Sequence, residues 1–155
     1  MKPIRTRPGP RYAALIQLLR TADTLWNASR TLFARWELSP SQFNILNLLG
    51  DQPDGMTQVD LSRHLVMHRS NVTGLVDRLE KRGLAVRHKH PEDRRAHRVA
   101  LTAAGQKLLS TILPHYYQAA ETVWGQLPVK RAQQLVADLT EICANAVRAA
   151  QAISK

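Results

Sequence analysis

Between Arg69 and Lys81, the almost wholly polar set Arg69, Ser70, Thr73, Gly74, Asp77, Arg78 and Lys81 shares one side of a repeat whose other side is Val72, Leu75, Val76 and Leu79. The apolar spacing i, i+3, i+4, i+7 predicts an amphipathic helix. Its polar side is rich in groups that grip anions and hydrogen-bond to flat polar edges. The guanidinium of Arg69 suits the O6/N7 edge of guanine, and the carboxamide of Asn71 suits adenine or a phosphate oxygen. Hydroxyls at Ser70 and Thr73 suit phosphate, a contact that fixes register without reading sequence. Thr57, His68 and Arg78 complete this candidate set. The chemistry expected is recognition of a polyanion, with no covalent bond made or broken.

A second set lies just downstream. Leu84, Val86 and His88 alternate with Ala85, Arg87 and Lys89, and His97, Val99 and Leu101 alternate with Arg98 and Ala100. A period of two predicts half-buried strands, and the tip between them is PEDRRAH. Arg94 and Arg95 at such a tip suit a narrow minor groove, where the negative potential is enhanced. Asp93 is placed to orient Arg95 by a charge-assisted hydrogen bond. From Thr57 to Arg98 there are ten Lys/Arg against five Asp/Glu, a net of +5, so the stretch is basic as a whole and not merely charged.

Positioning these groups requires a short helix, a reading helix and a hairpin in that order. Thr57 is a predicted N-cap with Asp60 three residues on, and Val59, Leu61 and Leu65 give the first helix an apolar side. Val66 and Met67 fill the turn, and Gly83 ends the second helix, where a left-handed residue is favoured. Helix, helix, hairpin and helix make a winged helix-turn-helix, expected over residues 37–102. In such a pair the second helix enters the major groove.

The segments LSRHL, SNVTGLVDRLEKRGLAVR and PEDRRAHRVALTAAG resemble the MarR family of bacterial transcription regulators, continuously from about Leu38 to Leu109. The wing signature D-x-R…V-x-L-T-x-x-G is matched by Asp93, Arg95, Val99, Leu101, Thr102 and Gly105. The resemblance implies a homodimer on a pseudo-palindromic operator in double-stranded DNA, usually as a repressor, and often release by a small aromatic or phenolic effector. It also implies recognition-helix contacts from Arg69 to Gly74 and a minor-groove contact by Arg95, supported by Asp93. His68 stands where the family often has a capping serine, and Gly74 places no side chain on the reading face.

Other chemistries find no support in the residues. G-x-S-x-G, P-loop, G-x-G-x-x-G and H-E-x-x-H motifs are absent, so no catalytic residue and no cofactor are expected. His88, His90 and His97 lie on or near one hairpin, but the only sulfur ligand, Cys143, is far along the chain, so no metal site is expected. Cys143 has Leu139, Ile142, Ala144 and Val147 around it on a helix, which predicts a buried packing cysteine rather than a reactive one. A protein-interaction module without DNA affinity would show a neutral or acidic reading face. The second reading that stays open is a non-regulatory or architectural DNA-binding protein of the same fold.

The rest of the chain is long helix. Residues 1–10 hold three prolines and three basic side chains and are expected to be a flexible arm. Residues 11–36 form a helix whose apolar stripe, Leu15 to Trp36, is wider than one face. Trp26, Phe33, Trp36 and Phe43 are the candidate lining of an effector pocket, although aromatics at helical spacing more often serve a core. Ser39, Pro40 and Gln42 mark a strong helix start. Beyond Thr102, Leu135, Leu139, Ile142, Ala146, Ala149 and Ile153 advance by four and three, a heptad seam. Residues 11–36 and 103–155 are therefore expected to be dimerisation helices. The fold class is mainly α with a small β-hairpin wing. A net charge of +10 favours a polyanionic partner. No apolar run approaches the roughly 20 residues of a membrane span, and the basic N-terminus lacks a signal-peptide core. The expected location is the cytoplasm.

Overall fold

The computed structural model describes residues 9–65, 69–89 and 97–153, with the backbone alone at Arg69 and Ser70. In chain order the elements are α1 (Pro10–Ala34), α2 (Pro40–Gly50), β1 (Met56–Thr57), α3 (Gln58–His64), α4 (Arg69–Lys81), β2 (Ala85–Lys89), β3 (His97–Leu101), α5 (Ala103–Trp124) and α6 (Val129–Ile153). They fall into two compact units, one ending at Leu113 and the other beginning at Pro114. The division coincides with a proline inside α5, which cannot donate the helical hydrogen bond expected at that position.

The first unit closes on one apolar core. Phe43, Ile45, Leu46 and Leu49 of α2, Leu61 of α3, and Val72, Val76 and Leu79 of α4 are buried, together with Val99 of β3 and Leu109 and Ile112 of α5. Local signals start and stop these helices. Ser39 Oγ accepts from the Gln42 N–H at 3.2 Å while Gln42 Oε1 accepts from the Ser39 N–H at 2.9 Å, a complete capping box behind Pro40. Thr57 Oγ1 accepts from the Asp60 N–H at 3.1 Å and donates to Asp60 Oδ2 at 2.6 Å. Gly83, with φ +67, ends the α4 segment in the left-handed conformation.

The sheet departs from the two-stranded wing read in the sequence. β1 pairs antiparallel with β3, Met56 opposite Val99, so β3 is the centre of a three-stranded sheet ordered β1-β3-β2. Two residues carry too little periodicity to declare a strand. Burial along β2 also fades from Ala85 toward Lys89 rather than alternating. In β3 the adjacent residues Val99 and Ala100 are both buried, because the central strand is covered on both sides. Backbones approach closely at two glycines. A Cβ at Gly105 would stand 2.0 Å from the Leu84 carbonyl oxygen, and one at Gly55 would stand 2.4 Å from that of Val99.

The first helix begins at Pro10 and ends at Ala34, so Trp36 lies in the following turn rather than in the helix. Glu37 in that turn is left-handed, with φ 55. From the end of α4, Arg82 donates Nη1 to the Glu37 carbonyl at 2.7 Å and Nη2 to the Trp36 carbonyl at 3.1 Å. Most of α1 is open to solvent, including Leu15, Leu19, Leu25 and Trp26.

In the second unit, α6 buries none of its residues. Leu135 and Ile142 of the heptad seam are exposed. Cys143 is exposed as well within the single chain, whereas its apolar neighbours predicted a buried packing role; those neighbours lie on a helix face that packs on nothing in the same chain's described core.

Candidate nucleic-acid interface

The reading helix α4 is seated by its apolar face, Val72, Leu75, Val76 and Leu79, all buried. The opposite side leaves Asn71, Asp77, Arg78 and Lys81 exposed, as the sequence spacing requires. Asn71 and Arg78 are thus presented together to solvent along one helix, at a separation of two turns. Arg69 and Ser70 open the same helix, with their side chains outside the description. His68, Asp93, Arg94 and Arg95 lie outside the described residues.

The two threonines of the candidate set are engaged by protein. Thr57 caps α3 through Asp60, as above. Thr73 Oγ1 lies 2.9 Å from the Gln58 amide. A guanidinium only donates, so the Gln58 amide oxygen must face Arg87, and Gln58 Nε2 then donates to Thr73. In that orientation Oε1 accepts from Arg87 Nε and Nη2, each at 2.9 Å.

Arg87 itself was not among the residues singled out from the sequence. On β2 it pairs with two carboxylates of α4, Asp77 at 2.7 Å from Nη2 and Glu80 at Nη1. Its backbone N–H donates to Glu80 Oε1 at 2.8 Å, and Nη2 lies 3.4 Å from the Thr73 carbonyl. The sequence held one signal for this: two acids three residues apart on an otherwise basic helix call for a cation. The strand that supplies it is not identifiable from spacing. Arg98 is likewise turned inward, donating Nη2 to the Gly55 carbonyl at 3.0 Å.

The four candidate pocket aromatics do not stand alike. Phe33 and Phe43 stack with ring centroids 4.1 Å apart and are 1% and 0% exposed, so they fill core. Trp26 is 42% exposed, and Trp36 is half-buried. A cleft of about 420 Å³ lies elsewhere, lined by Leu49, Pro53, Leu101 and Gln106 among others. Among the described residues there is no cluster of three metal-ligating side chains. Strand register sets His88 opposite Arg98 and His97 opposite Lys89. Among the described residues no helix is long and apolar enough to cross a membrane.

Comparison with known proteins agrees with this geometry. A family model described as MarR family matches residues 36–96. The HTH-type transcriptional regulator FarR of Neisseria gonorrhoeae is 31% identical over 130 residues, covering 82% of this chain and 88% of that protein. The transcriptional repressor CouR, solved on a 23-mer DNA duplex, superposes with a TM-score of 0.74 at 29% identity, over 87% of this chain and 92% of that one. CouR of Rhodococcus jostii RHA1 bound to p-coumaroyl-CoA gives 0.76 at 27% identity, over 81% of this chain and 88% of that one.

Proposed function

Because the chain belongs to the MarR family, we propose that it is a sequence-specific DNA-binding transcription regulator, a repressor that a small ligand releases from its operator. The observation that carries this reading is the juxtaposition of α4, with Asn71 and Arg78 exposed, and the basic β2–β3 hairpin on one sheet. It acts in the cytoplasm by binding, not by catalysis. Arg69 and Asn71 read base edges in the major groove, while Ser70 and Arg78 hold phosphates. Arg94 and Arg95, steadied by Asp93, enter the adjoining minor groove. Thr57 and Thr73 contribute by holding α3 and α4 in place.

Two copies pair through the terminal helices, residues 11–36 and 103–155. The exposed apolar side chains of α1 and α6 support this, since stripes of that length are not left in water by a lone soluble chain. A small aromatic or phenolic effector is placed beside the half-open Trp26 and Trp36, with Phe33 and Phe43 left to the core; a relative holding p-coumaroyl-CoA supports that class. The effector acts only by binding one arrangement of the dimer better than another.

Selection of bound sites from random DNA tests the reading directly. The expected product is a palindrome whose half-sites lie about one helical turn apart, ~34–36 Å. On that duplex, log K should fall with log salt by about 0.9 for each phosphate neutralised. No enrichment together with a flat salt response would remove the DNA-binding reading.

A further inference from the structure

One arginine at the base of the wing is committed to protein. The Arg87 side chain is only 22% exposed, and its guanidinium is met by Gln58 of α3 and by Asp77 and Glu80 of α4, while its backbone belongs to β2. Its attachments to α4, at Thr73, Asp77 and Glu80, span about two helical turns. Apolar packing seats α4 along one face but is non-directional and leaves small rotations and slides open. A helix held at three points along two turns has a fixed rotation and a fixed slide. The same contacts set a cation against two carboxylates that would otherwise stand uncompensated on a helix meant to approach phosphates.

We propose that Arg87 is the positioning residue of the reading face: it fixes how α4 is presented to a DNA duplex while making no contact with DNA itself. The inference rests on the DNA-binding reading above. Base-edge hydrogen bonds demand close geometry, whereas attraction to phosphates tolerates displacement. Loss of the clamp therefore falls on discrimination between sequences more than on general affinity. Lysine cannot stand in, because a single ammonium lacks the planar fork that meets Gln58, Asp77 and Glu80 at once.

The test uses the full chain and two probes: the duplex that the wild-type protein enriches from a random library, and a scrambled duplex of the same composition. Each is titrated across a salt series. Arg87→Lys should bind the scrambled duplex within about twofold of wild type and the enriched duplex roughly tenfold more weakly, the scale of one lost base contact. Its salt slope should not change, since no phosphate contact is removed. Arg87→Met should weaken both duplexes, and adding Asp77→Asn should restore the scrambled-duplex affinity but not the ratio. Thermal denaturation monitors folding; if Arg87→Met does not fold, Glu80→Gln takes its place, with a smaller loss of ratio expected. A general loss of stability lowers the active fraction and so leaves the ratio between duplexes untouched. An unchanged ratio in Arg87→Lys, or a slope shallower by about 0.9, overturns the role. A wild-type chain that enriches no sequence overturns the DNA-reading premise, and the inference with it.

Discussion

Single residues divide into those that touch a partner and those that allow the chain to fold. Gly105 belongs to the second kind, because its hydrogen occupies the only space left beside the Leu84 carbonyl. Gly105→Ala should cost at least about 2 kcal/mol in chemical denaturation, as overpacking against backbone cannot be relieved by a rotamer change. A variant as stable as wild type would mean that α5 can slide away from the Leu84 backbone. Arg69 and Arg95 are proposed to be of the first kind and should differ. Arg69→Ala should relax base preference at one position per half-site, by roughly 1–3 kcal/mol, in a site-selection assay. Arg95→Ala should weaken enriched and scrambled duplexes alike. Caps at Ser39 and Thr57 and the glycine stop at Gly83 were legible in the sequence because each is a local rule connecting residues three or four apart. The engagement of Thr73 by Gln58 was not, since it joins residues fifteen apart through a fold that spacing does not specify.

At the scale of elements, periodicity located α1 and α4 to within a few residues, because each carries an apolar stripe long enough to repeat. β1 escaped for want of length, although its pairing with β3 makes β3 central and explains why Val99 and Ala100 are buried side by side. The start of α2 offers a clean measurement. Ser39→Ala removes the cap acceptor, and about 1 kcal/mol of stability should go with it in a thermal or denaturant melt. No loss would mean that Pro40 alone sets the start of the helix. The aromatic stripe shows where pattern stops short. Spacing grouped Trp26, Phe33, Trp36 and Phe43, but only packing separates the Phe33–Phe43 stack from the half-open tryptophans.

For the molecule as a whole, the apolar seam of α6 is the feature that a lone chain leaves unexplained. Replacing Leu139 and Ile142 together with glutamate should yield a monomer by mass in solution and abolish tight operator binding, because two half-sites then have to be held independently. A variant that stays dimeric and binds normally would place the contact elsewhere. The seam was legible as a heptad repeat. In the proposed dimer, the spacing between two reading helices depends on a surface shared by two chains, which a one-chain repeat does not specify.

The grip of Arg82 on the α1–α2 corner has a consequence for how such a regulator can change over generations. Its guanidinium takes the carbonyl oxygens of Trp36 and Glu37, atoms every residue carries. Side chains at the far end of this strut can be exchanged with only the exposed Arg82–Glu37 ion pair at stake, and at position 37, with φ 55, glycine would relieve strain. If the proposed effector sits against that corner, residues facing it can be exchanged toward a new small molecule while the backbone link to the end of the reading helix stays in place. On the proposed reading, ligand preference and DNA preference are then separately mutable traits of one small protein.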